Sequence, residues 1–133
     1  MSAVRQRNVA LILARELAVN LATPMWVWDE NGELVYYNEH VQAILGSPQH
    51  EIGVGRLDEL PQFEPMDLNG DPIPVSELPS AVAIGLRRPA HRELSITGRD
   101  GVRRELSVTA FPLFARGGEF VGAVSVFWEK TGR

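Results

Sequence analysis

A hairpin signal near the start of the chain places the strongest constraint on its fold. Two short runs rich in aromatic and β-branched residues occupy Met25–Asp29 and Leu34–Tyr37, and they are joined through Asp29-Glu30-Asn31-Gly32. An Asn-Gly pair between two such runs is the strongest short-range signal for a tight antiparallel turn, because both residues tolerate a positive φ. The sequence therefore predicts that a sheet begins here with two antiparallel strands.

Before this hairpin, residues 8–21 have the pattern of an amphipathic helix. Apolar residues recur three or four positions apart with polar residues between them, which places the apolar side chains on one face of a helix. The helix should end at Thr23, because a residue that precedes a proline is disfavoured in the helical region. We therefore divide the chain into an N-terminal amphipathic helix, residues 1–23, and a domain that covers residues 24–133.

Shorter helices are predicted after the hairpin. Asn38 can cap a short helix by accepting a free backbone N–H, and Gly46 can end that helix in the left-handed conformation. Prolines and glycines interrupt residues 47–74, where we expect only one or two short helical turns, near residues 57–60. A longer helix is predicted over residues 77–87.

Three further strands are predicted in the second half of the chain, over residues 92–97, 103–113 and 120–128. Apolar and polar residues alternate along the first two, whereas the third is apolar on both faces. Together with the opening hairpin, these segments predict an α+β fold. It has a five-stranded antiparallel sheet, helices between strands 2 and 3, and the N-terminal amphipathic helix.

Composition narrows the function classes. Hydrophobic residues make up 44% of the chain and charged residues 23%, which is typical of a globular domain. No apolar run reaches the ~20 residues that a membrane-spanning helix requires, so we expect a cytoplasmic chain without a membrane partner. The net charge of −4 lacks the basic excess that neutralises phosphates, so we expect no nucleic-acid partner. The absence of cysteine excludes disulfides and thiolate chemistry.

Three segments together resemble the PAS domain family over about residues 17–131. Residues 24–38 are similar to the first two strands of that family, with the Asn that begins the next helix at Asn38. Residues 69–79, with Asn-Gly-Asp-Pro-Ile-Pro followed by Glu-Leu-Pro, resemble the approach to the long helix beside the ligand pocket. Residues 122–131 resemble the final strand. The resemblance therefore covers most of the chain.

The resemblance implies a sensor or dimerisation domain of a signalling protein, such as a bacterial two-component or regulatory protein. A ligand would lie between the long helix and one face of the sheet, and the final strand would hand the signal to an effector domain or partner protein. Two departures from the family pattern are visible. Glu129-Lys130 stands where the family usually has Asp-Ile, and Arg87-Arg88 stands where a Gly often ends the long helix.

The resemblance also implies a set of pocket residues, and all of them are predominantly apolar. Two hypotheses remain open: the pocket binds a small apolar molecule, or the tryptophans fill it and the domain is a structural dimerisation module. The expected pocket residues are Trp26, Trp28, Ile84, Leu94, Ile96, Leu106, Val108, Ala110, Val124 and Val126.

Cofactors, metals and catalysis are not expected. Haem-binding members of the family use a histidine on the long helix, and residues 77–87 contain none, while the missing cysteine excludes a flavin adduct. His40, His50 and His91 are not at metal-ligand spacing. The remaining enzyme hypothesis is a small lyase or isomerase with Glu105 as its acid, but strand alternation directs that residue away from the pocket. We therefore predict a colourless protein that is not an enzyme.

A homodimer is predicted through the N-terminal helix. The apolar surface of this helix is wider than one sheet face needs, and the final strand would leave Ala123, Ser125 and Phe127 uncovered on the side opposite the pocket. Large exposed apolar patches mark association surfaces, and two-fold pairing is the commonest closed arrangement. The alternative is a monomer whose helix folds back on its own sheet. The expected interface residues are Val9, Ile12, Leu13, Leu17 and Phe127.

Overall fold

Five antiparallel strands form one sheet in the computed structural model, which describes residues 11–14, 16–17, 22–47 and 52–130. The order of the strands across the sheet places the last strand of the chain in the centre, between the two hairpins. The predicted α+β class is confirmed. The order is β2-β1-β5-β4-β3, with β1 Met25–Asp29, β2 Leu34–Tyr37, β3 Ala90–Thr97, β4 Arg103–Phe114 and β5 Phe120–Glu129.

The helices between β2 and β3 are α1 (Glu39–Ile44) and α2 (Pro79–Leu86), with 3-10 helices at Leu57–Phe63 and Val75–Glu77. Residues 11–14 and 16–17 are helical, as the amphipathic pattern predicts. The two ends of that predicted helix, including Val9, lie outside the described residues. Within the described parts of the chain, no helix is both long and apolar enough to cross a bilayer.

The turn between β1 and β2 forms as its sequence predicts. Gly32 has a φ of +78°, and its backbone N–H donates to the carbonyl oxygen of Asp29 at 3.1 Å. The carboxylate of Asp29 stabilises the turn further, because its Oδ1 accepts the backbone N–H groups of Asn31 at 2.8 Å and Glu33 at 3.0 Å. This aspartate therefore holds the turn through an Asx-type interaction.

Asn38 precedes α1, but its side chain does not cap the helix, so that prediction is wrong. Oδ1 of Asn38 instead accepts the backbone N–H of Met25 at 3.2 Å, and its Nδ2 donates to the carbonyl oxygen of Thr23 at 2.8 Å. Because this side-chain amide is buried away from water, it forms its hydrogen bonds with the backbone at and just before the start of β1. Asn38 therefore ties β1 to the start of α1.

The two faces of the sheet have different coverings. The inner face, which carries Trp26 and Trp28, packs against α1, α2 and residues 52–78, and these elements enclose the main hydrophobic core. The outer face, which carries Met25 and Val27, packs against the N-terminal helical residues through Leu11 and Ala14. Because β1 is apolar on both faces, it contributes to both cores.

Residues 52–78, which we call the covering segment, cross the inner face and reach both edges of the sheet. At the β2 edge, the backbone N–H of Leu34 donates to the carbonyl oxygen of Gly55 at 2.8 Å. At the β3 edge, the backbones of Met66 and Ser95 exchange two hydrogen bonds of 2.9 and 2.8 Å. Backbone hydrogen bonds therefore anchor the covering segment at both edges of the sheet, through Gly55 and Met66.

Candidate functional site

A cavity of about 60 Å³ lies between the inner face of the sheet and the elements that cover it. Strands β1, β3, β4 and β5 supply one wall, and the covering segment with the start of α2 supplies the other. Its lining is almost wholly apolar, and no lining side chain that the structure describes is titratable. The lining residues are Trp26, Leu45, Leu60, Phe63, Pro65, Leu78, Pro79, Ser80, Leu94, Ile96, Leu106, Val108, Ser125 and Phe127.

Half of the predicted pocket residues lie on this wall, namely Trp26, Leu94, Ile96, Leu106 and Val108. The other members of the predicted set lie deeper, or elsewhere in the fold. Trp28 is fully buried in the same core, and Ala110 packs with Ala83 and Ala123 beneath α2, where Ile84 contacts them.

The prediction for β5 is wrong in its face. Val124 and Val126 pack with Met25 and Val27 on the outer face, whereas Ser125 lines the cavity. Register explains this, because Ser125 is the cross-strand partner of Trp26 in the antiparallel β1–β5 pair, and directly opposed residues share a face. A central strand that is apolar on both faces gives no alternation from which its orientation can be deduced.

Phe127 also lies on the face opposite to the predicted one, for the same reason of register. It was predicted in the dimer interface, but it is buried on the inner face, with its ring centroid 5.2 Å from that of Trp26. Ala123 and Ser125 are also fully buried there, so these three residues do not form an uncovered outer surface. The outer side of β5 is formed by valines that the N-terminal helical residues partly cover.

The covering segment supplies lining residues that the sequence prediction missed. Leu60 and Phe63 lie on the 3-10 helix Leu57–Phe63 and point towards the core with Leu57. Their spacing of three residues is the period of a 3-10 helix, so this signal was present in the sequence. Pro65, Leu78 and Pro79 carried no comparable periodicity.

Three buried polar atoms near the cavity have no hydrogen-bond partner. They are Nε1 of Trp26, Nε1 of Trp28 and Oγ of Ser125. The two indoles pack edge to face with their ring centroids 5.0 Å apart. Buried indole N–H groups usually find a hydrogen-bond partner. Here the described protein atoms supply no partner for these three polar atoms.

Charged groups lie beside a separate surface depression, which Arg99 and Asp100 line with Gln42 and Ser47. Both terminal nitrogens of the Arg104 guanidinium donate to the carboxylate of Asp100, at 3.1 Å from Nη1 to Oδ1 and 2.7 Å from Nη2 to Oδ2. These bonds, with a further one from the backbone N–H of Val102, lower the pKa of Asp100 to about 2. Arg99 extends over Phe63, with its guanidinium carbon 5.8 Å from the ring centroid, and donates to Ile52 O at 3.0 Å.

The histidines and Glu105 lie away from the cavity. The Nδ1 of His91 is 2.7 Å from the hydroxyl of Thr109 across the β3–β4 pair, and Glu105 is exposed on β4. His40 lies on α1, and His50 falls outside the described residues. In the described ranges, no group of three or more His, Asp or Glu side chains is arranged to hold a metal ion.

The N-terminal helical residues present a second apolar surface. Leu11 and Ala14 pack on the outer face of the sheet, whereas Ile12, Leu13 and Leu17 are 56%, 64% and 51% exposed. The described members of the predicted interface, apart from Phe127, are therefore accessible. The described helical residues, 11–14 and 16–17, therefore cover the sheet with Leu11 and Ala14 and leave Ile12, Leu13 and Leu17 exposed.

Comparison with known proteins places the whole architecture among PAS domains. A family model for the PAS domain matches residues 22–130. The PAS domain of BvgS from Bordetella pertussis is 20% identical, with a TM-score of 0.63 over 92% of this chain and 87% of that one. A PAS domain from Colwellia psychrerythraea is 16% identical, with a TM-score of 0.62 over 99% of this chain and 100% of that one.

A light-oxygen-voltage domain studied with a flavin analogue is also similar, at 14% identity and a TM-score of 0.64 over 92% of this chain and 85% of that one. No curated protein matches the sequence. At these identities the structural likeness concerns the fold alone.

Proposed function

Because this chain belongs to the PAS domain family, we propose that it is a signalling domain in which two copies pair through their N-terminal helical residues. The observation that carries this proposal is the exposure of Ile12, Leu13 and Leu17, at 56%, 64% and 51%. The same helical segment already uses Leu11 and Ala14 to cover its own sheet. Its remaining apolar side is left for a partner.

The chemistry of this surface favours a second copy of the chain. A helix that covers one core and then faces water normally has polar residues on its outer side. Burial of the three large aliphatic side chains there would lower the free energy by ~25 cal/mol per Å² of apolar surface removed from water. In two-fold pairing the same patch contacts itself, so two identical helices supply the complementary apolar surfaces.

The pairing proposal is tested by the double substitution Leu13→Glu with Leu17→Glu. We expect the wild type to be a dimer at micromolar concentration and the double variant to be a monomer, because four carboxylates would enter one apolar seam. Light scattering coupled to size exclusion measures both masses. The matched control is Leu68→Glu with Leu86→Glu, which changes two leucines that are 52% and 61% exposed elsewhere on the surface.

The control variant should pair like the wild type. A wild-type chain that is monomeric throughout the micromolar range would refute the proposed interface, and so would a Leu13→Glu, Leu17→Glu variant that still forms dimers. The effector that reads the paired state would be another domain or a partner protein, and we place the domain in the cytoplasm. Its net charge of −4 supports a protein effector over direct contact with nucleic acid.

A second candidate function, small-molecule sensing, is favoured by the cavity and its unpaired polar atoms. Two observations support our proposal that the site holds no large cofactor such as flavin or haem. A volume of about 60 Å³ does not accept the three fused rings of a flavin, and α2, Pro79–Leu86, has no histidine for haem. We propose that the purified domain is colourless, which an absorption spectrum from 350 to about 500 nm checks.

The lining also supports a role in binding rather than catalysis. General acid–base chemistry needs a titratable group within hydrogen-bond reach of the reacting atoms, and the described cavity wall is built from apolar residues with Ser80 and Ser125. Glu105, the acid of the enzyme hypothesis, is exposed on β4. We therefore propose that the domain is not an enzyme.

A further inference from the structure

Two polar atoms without a hydrogen-bond partner belong to neighbouring residues of the cavity wall. They are the indole Nε1 of Trp26 and the hydroxyl Oγ of Ser125. The two residues are direct cross-strand partners in the β1–β5 pair, and the side chains of such partners lie close together on the same face. They are 7% and 0% exposed, respectively, so bulk water does not satisfy these atoms.

We propose that the cavity binds one small neutral molecule whose oxygen atom accepts a hydrogen bond from the indole N–H of Trp26 and bonds the hydroxyl of Ser125. Short-chain ketones, aldehydes and alcohols form this class. A carbonyl oxygen has two lone pairs and can accept from both donors at once. The inference rests on the sensing role proposed above and assigns the chemistry of the ligand.

The lining excludes a charged ligand. A carboxylate or ammonium group in this cavity would lose its hydration and meet no counter-ion, because the described wall has no titratable side chain. Isolated charges are strongly disfavoured in such surroundings. A neutral oxygen, in contrast, supplies the missing hydrogen-bond partner of Trp26 and Ser125, while the remaining wall contacts carbon atoms.

The volume limits the size of the ligand. A cavity of about 60 Å³ accommodates about four water-sized atoms. Acetone and isobutene are suitable probes, since both have four non-hydrogen atoms and the same branched shape. They differ only in a carbonyl oxygen against a methylene group, so a substitution that weakens acetone binding and not isobutene binding reports the hydrogen bond, because the different hydration of the two free probes cancels between protein variants.

The test uses the full chain labelled with ¹⁵N, titrated with each probe while the three indole N–H resonances are followed by NMR. We expect acetone to bind and to shift the Trp26 indole proton downfield, whereas isobutene, which cannot accept a hydrogen bond, should not produce this downfield shift. Ser125→Ala should weaken acetone binding by about tenfold, the usual effect of one hydrogen bond, and leave isobutene binding unchanged. Assignment of the Trp26 resonance comes from backbone and side-chain connectivities.

Ser47→Ala is the matched control. Its hydroxyl is also buried without a partner, but Ser47 is not among the residues that line the cavity, and it lies instead beside Gln42 and Asp100. This variant should bind acetone like the wild type. Acetone binding without a downfield shift of the Trp26 indole proton would overturn the inference, as would an equal loss of both affinities in Ser125→Ala.

A third result would also overturn it, namely no binding of either probe; a nuclear Overhauser effect from water to the Trp26 indole proton would then identify water as the occupant. In that case buried water alone satisfies these atoms. The experiment is repeated in the Leu13→Glu, Leu17→Glu variant, whose substitutions lie outside the cavity. A failure of pairing is therefore distinguished from a failure of ligand binding.

Discussion

At the scale of single residues, Gly122 shows what the centre of the sheet requires. Its φ is +153°, and a Cβ atom at this position would contact the carbonyl oxygen of Trp28 and lie 3.1 Å from Cα of Asp29. Both are backbone atoms of β1, which are held by the β1–β5 pairing and cannot rotate away as a side chain can. Only glycine therefore fits at position 122, where the backbones of β5 and β1 come close together.

Replacing Gly122 with alanine should therefore destabilise the domain by about 2–3 kcal/mol, because contact with backbone is added to conformational strain. The control is Gly117→Ala, where φ is +86° but no atom lies within 4 Å of the added Cβ. That variant should lose only about 1 kcal/mol. Urea denaturation measures both, and equal losses would show that the contact with β1 is relieved.

Asp100 should make stability depend on pH in the acid range. Its pKa is lowered to about 2, first by the hydrogen bonds from Arg104 and then by the backbone N–H of Val102. The folded-state pKa lies below the unfolded value of about 4, so the ionised carboxylate stabilises the fold above pH 4. That contribution is lost as the pH falls through about 2.

Asp100→Asn should thus be less stable than wild type at pH 7, and the difference should narrow as the pH falls from 4 towards 2. The amide keeps the acceptor for Val102 but removes the ionic partner of Arg104. Urea midpoints at several pH values measure the difference. A gap that stays constant with pH would mean that the carboxylate titrates alike in the folded and unfolded chains.

At the scale of the elements, local signals were sufficient where one residue type dictates the geometry. The Asn31-Gly32 turn, the left-handed Gly46 (φ +67°) and the strand segments follow from such signals. The orientation of β5 did not follow, because both of its faces are buried and its side chains are apolar on each. Its register against β1 is a long-range property, fixed by pairing across about a hundred residues of chain.

The site was predictable to the same extent. Trp26, Leu106 and Val108 lie on strands whose alternation or resemblance predicted their face, and they line the cavity. The prediction places Ser125 on the opposite side, although its hydroxyl is one of the polar groups of the cavity. No local pattern in β5 distinguishes the face of Ser125 from that of Val124.

The link between β1 and α1 predicts an effect for Asn38. Asn38→Ala would leave the backbone N–H of Met25 and the carbonyl oxygen of Thr23 without these partners, and it should destabilise the domain by about 1–3 kcal/mol. Glu39→Ala, at the exposed first turn of the same helix, should cost less than about 1 kcal/mol. Thermal unfolding compares the stability of the two variants. A stability loss in Asn38→Ala no larger than that in Glu39→Ala would contradict the proposed link between β1 and α1.

At the scale of the whole molecule, the roles of the two cores can be tested separately by making the same Val→Phe change once in each core. Val108→Phe places a larger side chain in the cavity, whereas Val124→Phe places it in the outer core. We expect Val108→Phe to abolish acetone binding. Val124→Phe should leave acetone binding intact and destabilise the domain by about 1–3 kcal/mol through overpacking.

NMR titration and urea denaturation measure the two effects. Loss of acetone binding in both variants would mean that the two cores are coupled through the sheet. Unchanged binding in Val108→Phe, with normal stability, would mean that the probe binds elsewhere.

The anchoring of the covering segment has a consequence for how the protein behaves at high concentration. A bare strand edge is a template on which other chains add strands and grow into fibrils. Here the backbone of Gly55 hydrogen-bonds the backbone of Leu34 on one edge strand, and the backbone of Met66 hydrogen-bonds that of Ser95 on the other. The segment that closes the cavity thus also blocks polymerisation at these positions, so a change that released it would expose the chain to fibril growth as well as open the cavity.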